Sequence, residues 1–197
     1  GLNKKECGIH FDFNGAIAKP VAAVEKTLFK DGRFIADPFR AWAEGDDPAT
    51  VRYTHIPLEN FVANRAAVLA NPHPNGLLIR AGDAIEDVAG DLDRFASIAV
   101  EFPTYSDGRG YTTARLASER YHYAGELRAV GDVLMDQITL MRRCGISAFV
   151  VVHPATRKAL ETGTLVTVNR YYQPIGSAEV PVGTRPFLRR PKEMEDA

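Results

Sequence analysis

The sequence predicts an α/β fold: a mainly parallel sheet of about five β-α units, preceded by a short N-terminal β-hairpin. Three observations carry this. From Val51 onward, short apolar runs alternate with amphipathic segments long enough for a helix each, which is the pattern of successive β-α units. The strand candidates 52–56, 76–80, 97–102, 126–130 and 148–152 recur at fairly regular spacing, so parallel pairing follows, in an open sheet or a partial β/α barrel. With 197 residues and 45% hydrophobic content, the chain has material for one sizeable core.

Residues 1–26 begin at Gly1 and are expected to be a leader or N-terminal extension. Residues 27–173 form a single α/β domain, and residues 174–197 a Pro-rich C-terminal arm. Leu28 to Ala36 reads as a hairpin, since Leu28-Phe29 and Phe34-Ile35 flank the turn Lys30-Asp31-Gly32-Arg33. A polar loop follows at 44–48. The segment 58–70 carries Phe61, Val62, Ala66 and Leu69 at helical spacing. Asp83 with Glu86 makes a variant capping box ahead of Val88, Leu92 and Phe95. The segment 133–144 places Leu134, Ile138 and Met141 on one stripe, and Gly145 stands where a left-handed C-cap residue belongs. Beyond His153 the prolines at 174, 181, 186 and 191 rule out long regular elements.

Lys and Arg total 24 against 25 Asp and Glu, so no global field draws the chain to nucleic acid or to an anionic membrane. No apolar run is long enough to span a bilayer, and a cytoplasmic protein is the simplest expectation. Cys7 and Cys144 are the two cysteines, too few and too far apart for a dithiol motif or an iron-sulfur cradle. The histidines at 55, 73, 122 and 153 lack ligand spacing, so no metal site is expected. Cys144 reads as a buried structural thiol.

Ligands of parallel α/β proteins sit beyond the carboxyl ends of the strands, which here are followed by an unusually polar set. Arg80 and Asp83 follow the second strand, Glu101 ends the third, Gly131-Asp132 follow the fourth, and His153 the fifth. The strongest feature is the loop Ser106-Asp107-Gly108-Arg109-Gly110-Tyr111. Its glycines free the backbone to approach a ligand, and the helix that follows offers unpaired N–H groups. A tight strand-to-helix connection with a solvated arginine is the plainer alternative. Thr113 stands where a dinucleotide fingerprint needs its third glycine, and no P-loop, zinc-protease or serine-hydrolase motif is present. Among Arg80, Arg109, Arg115, Arg120 and Arg128, Arg109 is the preferred ligand contact, with at least two of the others expected to pair with carboxylates such as Glu119, Glu126 or Asp132. The candidate ligand-binding set is therefore Arg80, Asp107, Gly108, Arg109, Gly110, Tyr111, Arg115 and Gly131. Asp132 and His153 are the candidate catalytic groups for proton handling.

The block Glu101-Phe-Pro-Thr-Tyr-Ser-Asp-Gly-Arg-Gly-Tyr-Thr-Thr-Ala-Arg-Leu, with Glu119-Arg-Tyr, Gly125-Glu-Leu-Arg-Ala-Val-Gly-Asp-Val-Leu and Asp136-Gln through Arg143-Cys-Gly, resembles the bacterial domain of unknown function 934 family. The resemblance runs from about Leu28 through Gln173. It implies a cytoplasmic protein described as an oxidoreductase of sulfite reduction, encoded beside enzymes of assimilatory sulfur metabolism. It brings no catalytic residues with it. Motif positions include Asp107 to Tyr111, Arg115, Gly131, Asp132, Asp136 and Gln137, while His122 and Ile146-Ser147 depart from the family's common glycine and Phe-Asp.

Three readings follow. The first is a sulfite-reduction component that binds an oxyanion or phosphate-bearing ligand at the 106–111 loop. The second is a non-catalytic accessory protein docking on sulfite reductase or its electron donor. The third, from fold analogy alone, is a sugar-phosphate or carboxylate enzyme. A flavin or nicotinamide nucleotide stays open as cofactor, with no motif for either.

Overall fold

The computed structural model describes residues 27–163, together with two-residue strands at 170–171 and 180–181 that pair in parallel. The N-terminal extension and most of the C-terminal arm lie outside the described residues. Hairpin strands β1 (Leu28–Lys30) and β2 (Arg33–Ile35) are antiparallel. Asp31 and Gly32 both have positive φ, 51° and 75°, as a two-residue type I′ turn requires. The parallel strands are β4 (Thr54–Pro57), β5 (Gly76–Ile79), β6 (Ser97–Phe102), β7 (Glu126–Gly131) and β8 (Ala148–Val150). A two-residue strand β3 (Arg40–Ala41), which the sequence pattern did not announce, adds to β4 in parallel.

The eight-stranded order is β2-β1-β8-β7-β6-β5-β4-β3. The five parallel strands lie side by side in chain order, with no reversal of the kind that creates a doubly wound crevice. Right-handed crossovers then place every helix on one face. The sheet is a curled, open half-barrel, and its connectivity explains the curl. Ile35 on one edge and Arg40 on the other are five residues apart, a reach of at most about 18 Å. Eight flat strands would separate those edges by about 34 Å. The strap 36–39 therefore bridges the two edges of a sheet bent toward closure.

On the helical face, Ile79, Val100, Ala129, Phe149 and Phe29 stand in register across five strands, with Leu77, Ile98 and Leu127 in the next row. All are buried, packed with Phe61, Val68, Val88, Leu92, Ile138 and Met141 of the crossovers.

Several elements differ from the sequence expectation. The predicted helix 58–70 is two short ones, α1 (Leu58–Ala63) and α2 (Arg65–Ala70), parted at Asn64. The Asn64 amide donates to the Asn60 carbonyl, the local side-chain competition that makes asparagine a poor interior helix residue. Segment 85–94 is a 3-10 helix, whose three-residue turn suits the buried Ile85 and Val88. The proposed Asp83–Glu86 capping box does not form, because Asp83 accepts the Arg80 backbone N–H at 2.7 Å instead. β4 starts two residues late, since Tyr53 takes φ 48° just before it. Helices α3 (Arg109–Arg115, continued by a π-turn over 116–120), α4 (Met135–Arg143) and α5 (Pro154–Glu161) complete the layer. α4 ends as expected, with Gly145 at φ 94°. The Ile146 and Gly145 N–H groups bond the Met141 and Arg142 carbonyls at 3.1 and 3.0 Å, a Schellman ending.

Candidate functional site

The loops at the carboxyl edge are tied to one another. The Asp132 N–H extends the β6–β7 ladder to the Phe102 carbonyl at 2.7 Å. Gly131, with φ 95°, lies so close that a Cβ there would sit 2.5 Å from the same oxygen. Gln137 of α4 receives the Leu134 N–H and donates to the Tyr105 carbonyl, both at 3.3 Å, so α4 anchors the loop after β6. His153 caps α5, and its Nε2 is 3.9 Å from Asp132 across the β7–β8 edge.

Within the 106–111 loop, Asp107 and Arg109 satisfy each other. The Arg109 Nε and Nη2 donate to Asp107, Nη2 at 2.6 Å, and the Arg109 backbone N–H donates to Asp107 Oδ1 at 3.1 Å. Hydrogen bonds from the Arg109 side chain and then its backbone hold the Asp107 carboxyl at about 2. Nη1 lies outside this fork. It faces the loop after β5, where a Cβ on Gly82 would be 3.2 Å from it.

The two loop glycines play different parts. Gly108 has an ordinary φ of −81° and open space around it, so the fold itself does not demand glycine there. Gly110 packs on the Phe102 ring, 2.7 Å from where its Cβ would be. Tyr111, half-buried, meets the same ring edge-on at 5.1 Å.

Of the other candidates, Arg80 pairs with Glu59 at 2.6 Å. Arg115 pairs with Glu119 at 3.1 Å, six residues along α3 and so about 9 Å from Arg109 along the helix axis. The structure thus brings Arg80, Asp107, Gly108, Arg109, Gly131, Asp132 and His153 to one edge and carries Arg115 away from it. Cys144 is buried, and burial raises its thiol above the usual range.

A second polar cluster, of which the sequence reading named only Arg128 and Glu126 and neither as a site residue, lines the concave face. Rows across the sheet mix small and large residues: His55, Gly76, Ser97 and Glu126 in one, then Ala99, Arg128, Ala148 and Lys30 in the next. His55 reaches over Gly76, where any Cβ would overlap its ring, and its Nε2 is 3.2 Å from Ser97 Oγ. The Ser97 hydroxyl donates to Glu126 at 3.4 Å. Glu126 also accepts from Arg128 and, at 2.7 Å, from Lys30. Arg128 is 1% exposed and donates through Nη1 to Asp37 of the strap at 2.8 and 3.0 Å.

Phe39 of the strap stacks on the His55 ring at 4.8 Å and lies 5.0 Å from the Arg128 guanidinium carbon. Burial, and then the charge of Arg128, lower the His55 pKa to about 4, so the ring is neutral near pH 7. Burial pushes the Glu126 carboxyl up, but Lys30 and Arg128 together outweigh it and hold the group below the usual range. In the sequence the Glu126-x-Arg128 alternation marks a polar face that helices do not cover, which by itself reads as a solvated one.

Fold and edge geometry define a curled, singly wound α/β protein with a loop-bearing carboxyl edge. The family model described as "Bacterial protein of unknown function (DUF934)" matches residues 76–183, more than half of the chain, and the chain belongs to that family. No curated protein and no solved structure gives a significant match. Among the described residues no helix is long and apolar enough to cross a membrane.

Proposed function

We propose that this protein is a component of assimilatory sulfite reduction that binds a small oxyanion or phosphate-bearing ligand where the loops after β5 and β6 meet. The pathway comes from the family resemblance. The observation that supports the site is the Arg109 guanidinium, whose Nε and Nη2 are fixed by Asp107 while Nη1 points at Gly82. A ligand oxygen received there takes an oriented, charge-assisted hydrogen bond without reorganising the loop. Asp132 and His153, on the neighbouring strand ends, are the groups at hand for proton transfer.

The test is a thermal-shift panel of sulfite, sulfate, adenylylsulfate, flavin and nicotinamide nucleotides on the parent and on Arg109→Ala. A stabilising ligand whose effect vanishes in Arg109→Ala is the expected result. No shift with any of them ends the reading.

A specific observation favours the accessory reading as well. Tyr105 and Val152, in the loops after β6 and β8, are 60% and 67% exposed on this same edge, and apolar groups amid polar ones suit a protein contact. Retention on immobilised sulfite reductase or its electron donor, lost on combining Tyr105→Ser with Val152→Ser, is the expected outcome. Retention by neither partner rules the reading out.

A further inference from the structure

At the opposite end of the strands from the 106–111 loop, Ser97 and Glu126 open β6 and β7, and the strap fills the concave face with two side chains. In the sequence Asp37-Pro38-Phe39, Asp37 gives Arg128 its carboxylate and Phe39 lays a ring against both His55 and Arg128. We propose that the concave face is a second ligand site, for a carboxylate that carries a planar ring, and that Asp37 and Phe39 are its built-in occupants.

Three features support this. Arg128 is fully buried, yet its Nη1 partner comes from outside the parallel strands, 91 residues away in sequence. The Asp37 side chain is 19% exposed, so the latch lies at the rim, where an external carboxylate can reach it. The floor is built for a ring: Gly76 leaves the space into which the His55 imidazole lies flat beneath Phe39.

Charge sets the ligand class. Lys30 and Arg128 face Glu126 and Asp37, two against two. When the strap lifts, Asp37 takes one negative charge with it, and a monoanion restores the balance that the buried Arg128 guanidinium and the partly exposed Lys30 ammonium need beside Glu126. A dianion leaves an excess negative charge in the interior. The guanidinium fork fits a carboxylate, and the space vacated by Phe39 takes the ring. The site shares no residue with the one proposed around Arg109.

Phenylacetate is the probe, with acetate and sulfate as comparisons and chloride matching ionic strength. In the parent, Asp37 Oδ1 accepts both the Phe39 N–H at 2.9 Å and Arg128 Nη1 at 2.8 Å, so a carboxylate that displaces Asp37 from Arg128 frees this turn and speeds hydrogen exchange of the Phe39 N–H. Phenylacetate is expected to speed that exchange several-fold while the Asp132 amide, at the other end of the strands, is unchanged. The double variant Asp37→Ala, Phe39→Ala is expected to bind phenylacetate at least tenfold more tightly than the parent and more tightly than acetate or sulfate. Arg128→Lys in that background is expected to lose the gain, and Arg109→Ala to leave it intact. The proposal is overturned if phenylacetate leaves Phe39 exchange unchanged in the parent, or if the folded double variant binds it no better than the parent does.

Discussion

His55 links the buried cluster to pH in a way that can be worked through. Its folded pKa is about 4 against an ordinary 6.5, because burial and the Arg128 charge disfavour the imidazolium, with Asp37 and Glu126 pulling the other way. A lowered histidine pKa means that the unfolded chain binds more protons between those values, so stability falls as pH drops below about 6.5 and this loss levels off below about 4. From pH 8 to pH 5 the His55 share is roughly 2 kcal/mol, at about 1.4 kcal/mol per pKa unit. The assay is urea unfolding of the parent and His55→Gln at both pH values, with a proton NMR titration of His55 in the folded protein. The variant should lose about 2 kcal/mol less than the parent, since all other titrating groups are common to both. Equal losses, or a folded His55 titrating near 6.5, would refute the desolvated cluster.

Glycine substitutions separate folding demands from ligand demands. Gly131→Ala meets both a positive φ and the Phe102 carbonyl and should cost about 2–3 kcal/mol in urea unfolding, whereas Gly108→Ala has room and an ordinary φ and should stay within about 0.5 kcal/mol of the parent. Loss of ligand response in a stable Gly108→Ala would then mark a close ligand approach. Gly76→Ala collides with the His55 ring and should cost about 1–3 kcal/mol while displacing the His55 NMR signals. Arg128→Met leaves Asp37 and Glu126 facing each other without the guanidinium and should destabilise by about 3–5 kcal/mol at neutral pH, a loss that shrinks in acid as Glu126 protonates.

Much of the helical face was legible in the residues. Strands β6 and β7 fall where the short apolar runs put them, the Asp31-Gly32 turn closes the hairpin, and Gly145 ends α4, because each depends on local backbone preferences and neighbours within a few residues. The carboxyl edge was legible for a related reason: residues that follow parallel strands must share one end of the sheet, and Arg109, Asp132 and His153 do. Pairing among the charges was legible in part: Arg115 and Arg128 take Glu119 and Glu126, two of the expected partners. Arg109 had the whole chain's carboxylates as partners in principle, and it takes the nearest, Asp107, through the geometry of one tight loop.

The concave cluster was out of reach of sequence pattern. Asp37 and Arg128 are 91 residues apart, and Glu126-x-Arg128 reads along the strand as a solvated face. Only the curl of the sheet, forced by the four-residue connection 36–39 between its two edges, lays the strap over that face. The sequence alone determined most of the elements, their parallel pairing and the polar carboxyl edge, since these follow from local propensity and period, while the strand order came only from the tertiary structure. Tertiary structure decided that the other face is an interior, because burial of Arg128, His55 and Ser97 arises from closure of the sheet and from no property of the segments that contain them.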